Sequence, residues 1–298
     1  MIYKSALRCA SFSPSGNLAV TAGEYRIATV WDLRNHNPPV SLKGHSGWIT
    51  SATFSQKGDR IVTASGDKTA RIWDTKTGRM LLKLDGHKSW IYSATFSSDD
   101  EIIATSGKNN TACVWDAQTG RRLLKLTGHN GRVLSVAFSA KDDRIVTASE
   151  DKTARVWDRK TGKMLVKLIG HRNWVTSATF SQQGDRIVTA SGDKTARVWD
   201  AKTGEMIVEL VGHKGWIFSA KFCPRSERIV TASRDRTACL WDARTGHRIV
   251  ELLGHEGWVY SAEFNPKGNS IITASEDKTA RIFRHELCCS FKKLVECA

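Results

Sequence analysis

Apolar residues in this chain come in short runs, and the runs return every 42 residues. Residues 48–84 show one period. WITSATF, RIVTAS, TARIWD and MLLKL are rich in β-formers and are separated by turn-formers at Gly58-Asp59, Gly66-Asp67 and Thr77-Gly78. Runs of that length with hairpin-sized breaks predict four short strands. No segment keeps a 3.6-residue apolar period long enough for a helix of three turns. In the first run the apolar positions Ile49, Ala52 and Phe54 step by three and then by two. One extra residue interrupts strict alternation, which predicts a β-bulge with Trp48 and Thr50 on either side.

The period is strict. Gly-His recurs at Gly44-His45, Gly86-His87, Gly128-His129, Gly170-His171, Gly212-His213 and Gly254-His255. All 11 tryptophans fall into two series. Trp31, Trp73, Trp115, Trp157, Trp199 and Trp241 each precede Asp, with Phe283-Arg284 in that place in the last unit. Trp48, Trp90, Trp174, Trp216 and Trp258 each stand three residues after a Gly-His pair. A period of 20–50 residues marks a solenoid, propeller or array. Such an array lets 298 residues fold without one oversized core, because each unit buries its faces against its neighbours.

The spacing from Gly-His to Trp-Asp, with an Asp six residues before the Trp, resembles the WD40 repeat over essentially the whole chain. The resemblance implies an all-β fold, a seven-bladed β-propeller with four antiparallel strands per blade. One domain over 1–298 is expected, with blades near 5–43, 44–85, 86–127, 128–169, 170–211, 212–253 and 254–298. Rings of this family are commonly closed by a strand from one terminus. Only Met1–Lys4 precede the first inner strand. Phe291, Lys292, Lys293 and Leu294, in register with Leu81 to Leu84, are therefore expected to form the outer strand of blade seven. A chain shortened at its N-terminus is the alternative. That tail also carries Cys288 and Cys289, and Pro38-Pro39 are expected in the outer strand of blade one.

Four units carry a full polar set: His45, Ser65, Asp67, Trp73; His129, Ser149, Asp151, Trp157; His171, Ser191, Asp193, Trp199; and His213, Ser233, Asp235, Trp241. Ser, His and Asp together raise a catalytic triad. An active site is needed once, whereas this set recurs at one spacing in four units, so the reading is structural. In WD40 proteins such residues form a chain from Trp to Ser or Thr, then to His and Asp. The resemblance implies the same here, locking the loop that enters each blade to the turn between its second and third strands. Unit three has Gly107 and Asn109, unit one has Tyr3, Gly23 and Tyr25, and unit seven keeps His255, Ser275 and Asp277 but has Phe283. Blades one and three are expected to be the softest, with fraying at the junction of blades seven and one. Six of the nine histidines sit in this motif on separate blades, so no metal site is expected. No phosphate-binding Gly-rich loop is present, and neither a cofactor nor an enzyme is expected.

In WD40 relatives the residues flanking the inner-strand bulge, and the residue before the turn Asp, commonly contact ligands on the top face. Here the bulge pairs are Ala6 and Arg8, Trp48 and Thr50, Trp90 and Tyr92, Arg132 and Leu134, Trp174 and Thr176, Trp216 and Phe218, and Trp258 and Tyr260. The turn positions hold Glu24, Gly66, Lys108, Glu150, Gly192, Arg234 and Glu276. The expected partner-binding crown is Trp48, Trp90, Tyr92, Arg132, Trp174, Trp216, Phe218, Trp258 and Tyr260. In the other reading each of these tryptophans lies over the neighbouring blade's turn and seals a hydrophobic layer. Both readings stay open on the sequence.

Composition narrows the class. The apolar 40% and charged 25% suit a folded protein. No run approaches the ~20 apolar residues of a membrane span, and the start MIYKSALRC has no apolar h-region, so neither a membrane partner nor a secretory signal is expected. Seven cysteines without a regular framework suggest reduced thiols and an intracellular, cytoplasmic place, with the nucleus open. The net charge of +15 is spread along the chain, which keeps acidic protein partners and nucleic acid open. The leading expectation is a non-enzymatic scaffold or adaptor, a monomeric propeller that docks protein or peptide partners within a larger assembly. Trp31-Asp32-Leu33-Arg34 and Trp241-Asp242-Ala243-Arg244 resemble the WDxR element of substrate receptors of cullin-type ubiquitin ligases, a first alternative. A nucleic-acid- or ribonucleoprotein-associated propeller is a second. The last repeat, GNSIITASEDKTARIF, resembles WD40 factors that carry axonemal dynein for ciliary assembly.

Overall fold

Each 42-residue unit folds into its own antiparallel sheet, and the sheets pack face to face around a ring. The structure is a computed structural model that describes residues 5–35, 37–141 and 143–284. Six sheets have four strands in sequence order, and the seventh has three among the described residues. Blade two is representative, with an inner strand Ile49–Phe54, then Arg60–Ser65, Ala70–Asp74 and an outer strand Met80–Leu84. The seven-bladed, all-β architecture expected from the repeat is therefore present. Phe291–Leu294, Cys288, Cys289 and Tyr3 lie outside the described residues. In blade one the outer strand is Val40–Lys43, so Pro38 and Pro39 precede it instead of lying within it. A proline N cannot donate to the ladder, and pairing begins at the first residue past them.

The bulge inferred from one unit occurs in all seven. The register with the second strand slips by one residue at Arg8, Thr50, Tyr92, Leu134, Thr176, Phe218 and Tyr260. The extra residue ends the alternation and turns the start of each inner strand toward one rim.

The core is a series of layers between neighbouring blades. Val62, Ala64, Ile72 and Leu84 of blade two meet Ile91, Ala94, Ile103 and Trp115 of blade three. Trp73, Trp115, Trp157, Trp199 and Trp241 thus each fill the seam with the blade before it. A buried indole removes 150–250 Å² from water, which makes it the largest apolar contribution in its layer. The seam that closes the ring has the same character, with Leu7, Ala10, Phe12 and Ala19 against Ile272, Ala274 and Ala280.

Candidate binding surface

In blades two to six a buried polar chain of Trp, Thr and His fixes the upper loops. In blade two the Trp73 Nε1–H donates to Thr63 Oγ1 at 2.8 Å, and His45 Nε2 lies 2.7 Å from the same hydroxyl. His45 Nδ1 lies 2.7 Å from Asp67 Oδ2. The same bonds run through Thr147, Thr189 and Thr231 in blades four, five and six. This corrects the sequence expectation, because Ser65, Ser149, Ser191 and Ser233 are not in the chain. Their hydroxyls accept instead from the backbone N–H of Asp67, Asp151, Asp193 and Asp235, closing the turn between the second and third strands. His45, Asp67, Trp73, His129, Asp151, Trp157, His171, Asp193, Trp199, His213, Asp235 and Trp241 stand where the motif implied.

The same chain explains the Gly-His pair. Gly44 and Gly170 have φ of 151° and 155°, in the region that disfavours side chains. A Cβ at Gly44 would also meet Arg71 Nη1 at 2.6 Å. The electrostatics agree with burial. Desolvation lowers the His45 pKa, though Asp67 pulls the other way. Burial alone would raise Asp67, but bonds from His45 and Thr69 outweigh it and hold the carboxyl well below its usual range.

Above these chains lies the second tryptophan series. Trp48, Trp90 and Trp174 are 45%, 39% and 37% exposed, whereas Trp73, Trp115, Trp157, Trp199 and Trp241 are at most 3% exposed. Trp216 and Trp258 are half-buried. The rings touch across blade boundaries: Trp48 and Trp90 at 6.0 Å, Trp174 and Trp216 at 5.4 Å, and Phe218 with Tyr260 at 5.0 Å and with Trp258 at 6.1 Å. Each aromatic pair is worth ~0.5–1.5 kcal/mol beyond its buried area.

Packing on the neighbouring blade's turn accounts for one face of two of these indoles. A Cβ at Gly66 would lie 3.4 Å from the Trp90 ring, and one at Gly192 would lie 3.3 Å from Trp216. Trp90 and Trp216 therefore cover the turn of the preceding blade with one face and keep the other toward solvent.

Cations complete the rim. Arg8 lies 4.2 Å from the Tyr260 ring centre and 5.9 Å from that of Trp48, and it pairs with Glu24 at 2.7 Å. Arg234 lies 4.4 Å over Trp258, and Lys108 lies 5.8 Å over Trp90. Arg132 is 3.5 Å from Glu150 and stands beside Tyr92. Guanidinium groups on ring faces hold flat, amphipathic side chains in fixed poses. No cluster of His, Cys, Asp or Glu able to hold a metal occurs among the described residues.

The lower rim carries residues that sequence reasoning missed. Arg60, Arg144 and Arg186 each begin a second strand and reach the next blade. Their Nη2 atoms donate to the carbonyls of Asp100, Gly184 and Ser226 at 2.7–2.8 Å. They also lie 5.1–5.4 Å over Phe96, Phe180 and Phe222. The available signal was an Arg recurring at one place in the repeat.

A closed ring of like blades, pinned by internal polar chains, defines a β-propeller. A family model described as WD domain, G-beta repeat (WD40) matches residues 3–32, 37–74, 78–116, 120–158, 162–200, 204–242 and 246–284, and the chain belongs to the WD40 family. Propellers of this family generally serve as non-enzymatic scaffolds for protein interaction. No curated protein matched the chain in a sequence comparison.

Proposed function

We propose that this propeller is a non-enzymatic adaptor that docks protein or peptide partners on its tryptophan-bearing face, in an intracellular, reducing compartment. One observation carries the reading. Three indoles of the second series are more than a third exposed, while the described blade anchors Trp73, Trp115, Trp157, Trp199 and Trp241 are sealed. Exposed aromatic side chains clustered with arginines are the usual anchors of protein interfaces. Their poses are already fixed by ring contacts and by Arg8 and Arg234, so binding costs little side-chain ordering.

Affinity capture with wild-type protein and with a Trp48→Ala/Trp174→Ala double variant tests the proposal. We expect partner capture to fall at least tenfold while the melting temperature drops by only a few degrees. A variant that loses its fold, or one that captures the same partners undiminished, would refute the docking role of these indoles.

A further inference from the structure

Blade six breaks the lower-rim pattern, and the break leaves a cation without its usual partners. In blades two, four and five the carboxylates of Asp59, Asp143 and Asp185 lie 4.0, 3.5 and 3.9 Å from the arginine that follows each of them. Each also accepts from a serine hydroxyl, of Ser55, Ser139 and Ser181. In blade six that serine is Cys223 and the aspartate is Glu227, within the segment Cys223-Pro224-Arg225-Ser226-Glu227-Arg228. No ion pair joins Glu227 to Arg228 among the described residues, and Arg228 Nη1 is buried without a hydrogen-bond partner. Among the described residues Arg228 makes neither the ring contact nor the carbonyl bond that staples Arg60, Arg144 and Arg186 to the next blade.

Arg228 lines a cleft of about 610 Å³. Arg186, Arg225, Arg228 and Arg244 line it together with Glu227 and Asp242. Asp242 is already committed, since its Oδ1 accepts from the backbone N–H of Arg244 and Thr245 and from the Thr245 hydroxyl. Arg186 is already held by the Ser226 carbonyl and lies near Asp185, so Arg225, Arg228 and Arg244 stand against one uncommitted carboxylate, Glu227. A buried N–H without an acceptor costs about 1–3 kcal/mol. An anion that accepts from it recovers that loss. The planar fork of arginine matches the oxygens of phosphate, and doubly charged phosphate draws on several guanidinium groups at once.

We infer that this lower cleft of blade six binds a doubly charged phosphate group, on the side of the ring opposite the exposed tryptophans. The site is separate from the docking face and does not depend on it.

Calorimetric titration of inorganic phosphate into the whole chain at low ionic strength and pH 8 tests the assignment. We expect one phosphate per chain. Arg228→Gln and the exposed-site variant Arg244→Gln should each weaken binding at least tenfold, while Arg60→Gln in blade two should leave it unchanged. Glu227→Gln removes the one uncommitted carboxylate and should tighten binding, a gain that misfolding cannot imitate. A phosphoserine peptide that binds more tightly than inorganic phosphate would assign the group to a partner chain, and equal binding would assign it to a free phosphate. Affinity indifferent to both Arg244→Gln and Glu227→Gln, or acetate binding as tightly as phosphate, would overturn the site.

Discussion

In blades two to six the threonine hydroxyl accepts a hydrogen bond from an indole N–H and meets an imidazole as well. Thr147→Val keeps the shape of that side chain but strands Trp157 Nε1 and His129 Nε2 in the interior. Each orphan costs ~1–3 kcal/mol, so a loss of ~2–4 kcal/mol is expected. Ser149→Ala removes only a turn bond to Asp151 N–H and one to the Gly131 carbonyl, for ~1 kcal/mol. Urea midpoints compare the two, and equal losses would contradict the threonine's place. The sequence could not separate these residues, because Thr147 and Ser149 are two apart and share one face of a strand. Register decides between them. Trp157 pairs with Ile145, so its indole reaches the hydroxyl two residues along and not the one four along. The imidazoles differ as well. Burial pulls His213 down, but Asp235 and the Cys239 sulfur outweigh it and raise its pKa to about 9. Its contribution to stability is thus complete below ~6.5 and fades as pH rises through about 9, whereas the lowered His45 and His255 contribute fully above ~6.5 and lose that contribution in acid. Arg71 and Arg281 help hold those two down, and Cys239 stands at the matching position in blade six. NMR titration should find His213 charged at pH 7 and Cys239→Arg should lower its pKa. A wild-type His213 that titrates below 6.5 would sink this account.

Among the blades that carry the histidine, the third departs most at its upper turn. Trp115 and His87 still meet Thr105 Oγ1 at 2.8 Å, yet Asn109 replaces the aspartate. His87 Nδ1 and Asn109 Oδ1 are both buried without partners. Burial, with no carboxylate to oppose it, pushes the His87 pKa down to about 4. Asn109→Asp supplies the acceptor that five other blades possess. It should raise the urea midpoint by the equivalent of ~1–2 kcal/mol and move the His87 pKa upward. A lower midpoint would mean that Gly107, whose missing Cβ would stand 2.7 Å from His87 Nδ1, has reshaped this turn around the asparagine. Strand order and bulges were legible because each follows from local spacing, as Ile49, Ala52 and Phe54 illustrate. The arginine staples were not, because Arg60 and Asp100 are joined only once the ring brings neighbouring blades together. The exposure of Trp48 and the partial cover of Trp90 likewise depend on which residue, such as Gly66, the next blade presents beneath the ring.

A ring is as strong as its weakest seam, and here the first and last blades meet without a continuous chain between them. The seam repeats a device used elsewhere around the ring. Ser51, Ser135 and Ser219 accept from the backbone N–H of Ala94, Ala178 and Ala262 in the following blades, and Ser261 accepts from Ala10 at 3.1 Å. Glu263 adds a bridge specific to this junction. It accepts from the Ser11 hydroxyl at 2.9 Å and pairs with Lys221, so one carboxylate ties blades six, seven and one. Partial exposure weakens such a pair, and Glu263→Ala should lower global stability by only ~1 kcal/mol. Its effect should be local instead. Hydrogen exchange in the inner strand Leu7–Phe12 should accelerate about fivefold, the equivalent of ~1 kcal/mol, while Val133–Phe138 across the ring stays unchanged. Uniform acceleration in both strands would show that the ring opens as a single unit. Protection unchanged at Leu7–Phe12 would mean that the apolar contacts of Leu7, Ala10 and Phe12 close the seam without the carboxylate.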